Sequence, residues 1–344
     1  MEACEWQEEA PASCAEGYYP VRKGEMFSGR YHVVQNLGCG YFSTVWLCQD
    51  VGKKKCVAVK VPKGGEDFAE AALDEVMLLR YVNSKRRKDQ AGDHVIRLLD
   101  DFKMIGENGF HVCLVFELLG PSLQVLLSSQ GAQGLPPPFL KKAMQQVLKG
   151  LYFLHKECRI IHADIKPENI LLHVTEASLQ TLLHNMVSLD YSTGVEPKRP
   201  GGDMAALLDC CNLMKMGVKI ADLGSACWTA FELATGKRLF EPQAGQCFSR
   251  DDDHVARIIE LLGKIPPKMD LFWKQASPFF RRQGALLRMS WISSYDLYHT
   301  LTDKYSWPKH QAAALASFLL PMLEYAPEKR ATAEKCLQHP WLNT

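Results

Sequence analysis

The chain has 344 residues, enough for one large domain or two lobes. Hydrophobic residues make up 47% and charged residues 23%, with a formal net charge of +1. That balance excludes a global pull toward nucleic acid or an anionic membrane and leaves any charged partner to a local patch. The 12 cysteines include no Cys-x-x-Cys pair, a pattern that suits reduced thiols in a cytoplasmic or nuclear protein. The acidic start, Met1-Glu2-Ala3-Cys4-Glu5, lacks the apolar run of a secretory signal. No stretch approaches the roughly 18 apolar residues of a membrane span.

Residues 1–28 are polar, with Pro11, Gly17 and Pro20, and are expected to be a flexible leader. Short β-rich runs follow at 31–34, 44–48 and 56–60 and read as neighbouring antiparallel strands. Phe68, Ala72, Leu73, Val76 and Leu79 recur at helical spacing and predict a helix over 66–80. The basic run 84–90 is expected to be a solvated loop. Two more strands are predicted at 95–99 and 111–116. After Gly120-Pro121 the pattern turns helical, with long helices expected over 139–156, 253–262 and 310–323. A β-rich part followed by a helical part is an α+β, two-lobed organisation. Residues 174–216, rich in Ser, Thr, Gly and Pro, read as an insertion.

Four motifs carry chemistry. Gly38-Cys39-Gly40-Tyr41-Phe42-Ser43-Thr44-Val45 lies between two strands, where glycines let backbone approach phosphates; a tight hairpin turn explains it equally well. Lys60 ends the apolar run Val57-Ala58-Val59, where a lone ammonium is costly unless paired. Glu75, on the next predicted helix, is a candidate partner. Asp164 and Asn169 stand five apart in Ile161-His162-Ala163-Asp164-Ile165-Lys166-Pro167-Glu168-Asn169-Ile170-Leu171-Leu172. Asp222-Leu223-Gly224 follows a strand-like run at 218–221; alone, it would be a turn.

In this order the motifs resemble those of the eukaryotic protein kinases, over about residues 31–342. The resemblance implies a β-rich N-lobe at 31–119, a helical C-lobe at 121–342, and ATP and Mg²⁺ as cofactors. It implies that Leu37, Gly38, Cys39, Gly40, Tyr41, Phe42, Ser43, Thr44 and Val45 cover the nucleotide, with Ala58 and Leu171 against adenine. Glu117 and Leu119 belong to the hinge, Phe116-Glu117-Leu118-Leu119-Gly120. Lys60, held by Glu75, would contact phosphates. Asp164 would accept the substrate hydroxyl proton, and Lys166 would neutralise the γ-phosphate. Asn169 and Asp222 would bind the metal.

Closer detail resembles the SR protein kinases, which act on Arg-Ser-rich splicing factors. The pointers are Phe42-Ser43-Thr44-Val45-Trp46-Leu47, the loop 161–172, Asp222-Leu223-Gly224-Ser225-Ala226-Cys227-Trp228 and Phe231-Glu232-Leu233-Ala234-Thr235-Gly236. Others are Asp251-Asp252-Asp253-His254 with Ile258-Ile259-Glu260-Leu261-Leu262-Gly263, and Pro327-Glu328-Lys329-Arg330-Ala331-Thr332 closing with His339-Pro340-Trp341-Leu342. The resemblance implies a spacer remnant at 174–216, and Asp253 and Glu260 as a docking face for arginine-rich substrate. An ordinary acidic helix start fits those two residues as well. A monomer in cytoplasm and nucleus is expected, with no direct nucleic-acid or membrane partner.

Three departures stand out. Ser43 replaces a third glycine. Ala163 replaces an arginine that reads activation-loop phosphate in many kinases. After Thr229 the chain passes straight to Ala230-Phe231-Glu232-Leu233, without an activation loop or an Ala-Pro-Glu-type motif. Arg330 is thereby expected to lose a buried glutamate partner. Either the lobe loosens or the side chain turns to solvent. The readings left open are an active serine/threonine kinase, a pseudokinase that binds ATP or arginine-rich partners, and an unstable product.

Overall fold

A computed structural model describes residues 17–86, 91–130, 134–162, 164–174, 179, 210–222, 228–237, 239, 243, 250–263, 295–326 and 328–343. The expectations for Ala163, Leu223, Gly224 and most of 174–216 lie outside these residues. The chain divides into two compact units. One comprises residues 1–120, 156–159 and 173–199; the other comprises 121–155, 160–172 and 200–344.

The first unit is built on an antiparallel sheet ordered β1-β2-β3-β4-β6-β5. Its strands are β1 (Met26–Phe27), β2 (Tyr31–Cys39), β3 (Ser43–Asp50), β4 (Lys55–Pro62), β5 (Leu98–Gly106) and β6 (Gly109–Glu117). Period-two alternation sets its two faces. On β4, Val57, Val59 and Val61 are buried, while Ala58 and Lys60 between them are only half-buried. The valines join Phe27, Tyr31, Val33, Cys48, Cys113 and Val115 in one core. α1 (Glu66–Lys85) buries Ala72, Val76, Leu79 and Val82, the stripe expected of an amphipathic helix.

Three expectations change here. The leader is structured from Gly17 onward: β1 pairs with β2, Phe27 is buried, and Tyr19 and Val21 pack on the core. These apolar residues are too few and too irregular to show a period. The strand expected at 95–99 begins at Leu98 and runs to Gly106. Arg86, read as part of a solvated loop, closes α1 instead. Its guanidinium donates to the carbonyls of Gly92, Val95 and Ile96 and to Asn83 Oδ1. A planar fork of five donors suits a bundle of converging carbonyl oxygens.

In the second unit, α2 (Leu123–Gln130) precedes α3 (Pro137–Phe153). Proline opens α3, where its missing N–H costs nothing. Along α3, Phe139, Leu140, Ala143, Met144, Val147, Leu148 and Leu151 are buried, which makes it the central helix of this unit. β7 (Ile170–His173) pairs with β8 (Gly217–Ile220). Gln146 on α3 accepts from Val218 N at 2.7 Å and fixes β8 to that helix. Further on come α4 (Trp228–Thr235), α5 (Arg250–Leu262) and α6 (Lys309–Leu319). Phe231, Leu233, Ala234 and Thr235 of α4 are buried, and Leu135 N donates to Leu233 O at 2.9 Å. The helix that spans the Thr229–Ala230 junction is therefore packed against the segment that precedes α3. Arg330 takes the solvent option: it is exposed and donates to the carbonyls of Glu324 and Tyr325.

Candidate active site

In the first unit, β2 and β3 converge on the turn Gly40–Phe42. Leu37 falls at an irregularity in the β2–β3 register, between Asn36 and Gly38. A β-carbon added at Gly38 would meet nothing within 4 Å. Neither internal packing nor positive φ demands glycine there. Gly40 N donates to Ser43 O at 2.8 Å and closes the turn. Thr44 is buried and accepts from Trp46 Nε1. Cys39, Tyr41 and Phe42 are exposed.

Val45 and Lys60 are direct cross-strand partners, and Ala58 lies two residues along β4 on the same face. Lys60 Nζ lies 2.8 and 2.9 Å from the two carboxylate oxygens of Glu75. Both side chains are partly shielded, at 20% and 28% exposure. The helix spacing of α1 that buries Val76 carries Glu75 to this position. Glu117 ends β6, and its Oε1 accepts from Arg97 N at 2.9 Å; Leu119 follows, half-buried.

Tyr18 lies in none of the four motifs, yet it touches this loop. Its hydroxyl lies 2.7 Å from Gly40 O and 2.9 Å from Tyr41 O. The Lys63 ammonium sits over the Tyr18 and Tyr41 rings, 4.5 and 4.8 Å from their centroids. The aromatic pair in Gly17-Tyr18-Tyr19 is the one trace of this in the sequence.

In the second unit, the loop 161–172 is anchored from inside. His162, Ile165, Pro167, Ile170 and Leu172 are buried, and Leu171 between them bridges Ser122. This leaves Asp164 exposed and Lys166 half-buried. Asn169, only 8% exposed, donates from Nδ2 to Asp164 O at 3.0 Å and Asp164 Oδ2 at 3.1 Å. Lys166 Nζ donates to the same carboxylate, and this bond holds the Lys166 pKa above its ordinary value. Ala221 N donates to Asn169 O at 2.8 Å, and Asn169 Nδ2 lies 3.4 Å from Asp222 O. β7–β8 pairing thus brings Asp222 beside Asp164 and Asn169 although it is far away in sequence. Asp222 has φ 56°, in the left-handed region that aspartate tolerates better than most residues.

The donor set suits a hard divalent cation. Because Nδ2 of Asn169 is engaged by Asp164, its Oδ1 is the atom suited to a metal. Asp222 adds carboxylate oxygens, and oxygen ligands are what Mg²⁺ takes.

The expected docking pair separates. Asp253 is buried, and its Oδ2 accepts from Gln243 N at 2.8 Å and from Arg257 Nε at 2.7 Å. Its carboxylate serves the fold of α5, because burying an anion without partners is costly. Glu260 remains partly exposed on the same helix.

Comparison with known proteins gives the family. The protein kinase domain family matches residues 31–186. SRSF protein kinase 3 of Sus scrofa is 33% identical, covering 98% of this chain and 91% of the relative. Serine/threonine-protein kinase SRPK of Physarum polycephalum is 35% identical, over 95% and 89%. Protein kinase dsk1 of Schizosaccharomyces pombe is 31% identical, over 95% and 83%. The alignment with the Sus scrofa protein runs over 513 positions against 344 residues here, so that relative carries residues this chain lacks. With the paired lysine, the anchored acidic loop and this similarity along nearly its whole length, the chain belongs to the SR protein kinase family of serine/threonine kinases, with the two-lobed α+β kinase fold.

Proposed function

We propose that this chain transfers the γ-phosphate of ATP to serines flanked by arginine in Arg-Ser-rich splicing factors. It would act as a monomer in cytoplasm and nucleus, without direct contact to nucleic acid or membrane. The observation that carries the reading is the cluster of Asp164, Lys166 and Asn169 with Asp222 beside it. Asn169 and Asp222 would hold Mg²⁺, which when bound neutralises phosphate charge. Lys60, fixed by Glu75, pairs with the α- and β-phosphates. Asp164 accepts the proton of the serine hydroxyl. Lys166, kept as an ammonium by Asp164, meets the charge on the γ-phosphate. On the substrate side, Glu260 offers a carboxylate to a guanidinium fork, whereas Asp253 is already engaged by Arg257.

A pseudokinase reading is favoured by one observation. α4 begins at Trp228, six residues after Asp222, where a kinase has a substrate-positioning loop. Misplacement of the hydroxyl by about 1 Å can cost about 100-fold in rate. Phosphate incorporation into an Arg-Ser repeat peptide and its Lys-Ser counterpart separates the readings, with Asp164→Asn as control. We expect about tenfold preference for arginine, from its bidentate pairing. Equal incorporation would overturn the substrate assignment. No incorporation by folded, ATP-binding protein would establish the pseudokinase.

A further inference from the structure

Tyr18 approaches the glycine loop from the leader, and its contacts have a geometric consequence. The hydroxyl lies within hydrogen-bond distance of two successive carbonyls, Gly40 O at 2.7 Å and Tyr41 O at 2.9 Å. The described chain contains no cis peptide bond. In a trans peptide, the N–H of the next residue points opposite to the carbonyl. Turning Gly40 O and Tyr41 O toward Tyr18 therefore turns the N–H groups of Tyr41 and Phe42 to the opposite side. Two successive N–H groups presented together form a concavity that binds anions. The next carbonyl, Phe42 O, is also tethered, accepting from Lys63 N at 2.9 Å.

Tyr18 is itself held on three sides. Gly17 O accepts from Gly64 N at 2.8 Å. Asn108 Nδ2 lies 3.4 Å from Tyr18 O. The Lys63 ammonium lies between the Tyr18 and Tyr41 rings. The approach at Gly64 is so close that a β-carbon there would meet Asn108 O at 2.5 Å.

We propose that Tyr18 is a positioning residue for nucleotide binding. It acts through the glycine loop, holding the Tyr41 and Phe42 amides in the orientation that receives a phosphate. The inference rests on the ATP reading above and adds to it a residue outside the kinase motifs. The bond to Tyr18 orders the loop before nucleotide arrives, so that binding does not bear the ordering cost.

The test is Tyr18→Phe, which keeps the ring over Lys63 and removes only the hydroxyl. Two measurements are made on the full chain: amide hydrogen exchange of residues 40–45 without nucleotide, and affinity for a fluorescent ATP analogue with Mg²⁺. Loss of about one net hydrogen bond corresponds to about fivefold. We expect exchange of the Gly40 amide, which closes the turn onto Ser43 O, to quicken about fivefold and the analogue to bind about fivefold more weakly, with a melting temperature lowered by no more than about 2 °C. Unchanged exchange would overturn the restraint, and faster exchange with unchanged affinity would overturn its role in binding. Wild-type protein that binds no analogue would instead sink the ATP reading, and the positioning role with it. That failure is recognisable because it precedes any effect of the variant.

Discussion

Gly134 is where the shortened lobe can be tested by a single methyl group. Its φ is +70°, and a β-carbon would meet Ala234 O at 2.2 Å and Ala234 C at 2.6 Å. The left-handed backbone alone costs an alanine about 1–2 kcal/mol. The contact cannot be relieved by a side chain, because the obstacle is the backbone of α4. Moving apart strains the adjacent bond from Leu135 N to Leu233 O, worth about 1 kcal/mol net. The sum for Gly134→Ala is about 3 kcal/mol, a large share of a total stability of about 5–15 kcal/mol. For a chain of this size that is a fall of about 4 °C in melting temperature. Urea and thermal unfolding of wild type and variant measure it. Gly38→Ala is the control, since a β-carbon there meets nothing and φ is not positive. A Gly134→Ala protein within about 0.5 kcal/mol of wild type, the range of ordinary surface changes, would refute the docking of α4 directly after Asp222.

Three further outcomes follow from the first unit. Glu75→Gln removes the charged partner of Lys60 and is expected to cost about 1 kcal/mol, given the partial exposure of both groups. It should lower phosphate transfer about 100-fold through misplacement of Lys60, and near wild-type transfer would contradict the pairing's role. Asp50 is held below its ordinary pKa, first by its hydrogen bonds to Arg30 and further by the Lys53 and Gly52 amides. A depressed folded pKa gives stability that is present above the unfolded value, about 3.9, and lost as pH falls through the folded one. Unfolding of wild type and Asp50→Asn from pH 7 to pH 2 should therefore show a stability gap that closes below about pH 4, and a constant gap would disprove the linkage. Burial pushes the Cys48 and Cys113 thiols up to about 12, while Cys39 and Cys56 are exposed. Iodoacetamide at pH 8 should label Cys39 and Cys56 in native protein and spare Cys48 and Cys113 until denaturant is added, as peptide mass mapping would read; equal labelling would contradict the buried assignment.

The parts of the site that were legible are those whose chemistry is local. The loop 161–172 writes its own anchors, because buried positions alternate with Asp164 and Lys166 in one short stretch. Lys60 and Glu75 were legible because an apolar strand and an amphipathic helix each fix which way a residue faces. What stayed hidden depends on contacts between distant segments. Tyr18 reaches the glycine loop over 22 and 23 residues, and no periodicity marks such a contact. Arg86 sits in a run of charges, and only the carbonyls of 92–96 distinguish a cap from a solvated loop. Asp253 and Glu260 share helical spacing, but the spacing is silent on Gln243 and Arg257, which draw one carboxylate inward. The open space at Gly38 is equally invisible until the backbone is placed.

We propose that this kinase, whose α4 begins six residues after Asp222, still aligns a substrate hydroxyl with ATP. Labelled phosphate transfer from Mg-ATP to an Arg-Ser repeat peptide tests it most directly, with Asp164→Asn in parallel. Phosphoserine is expected from the wild-type chain and none from the variant. Equal signals from both, or none from folded wild-type protein that binds ATP, would contradict it.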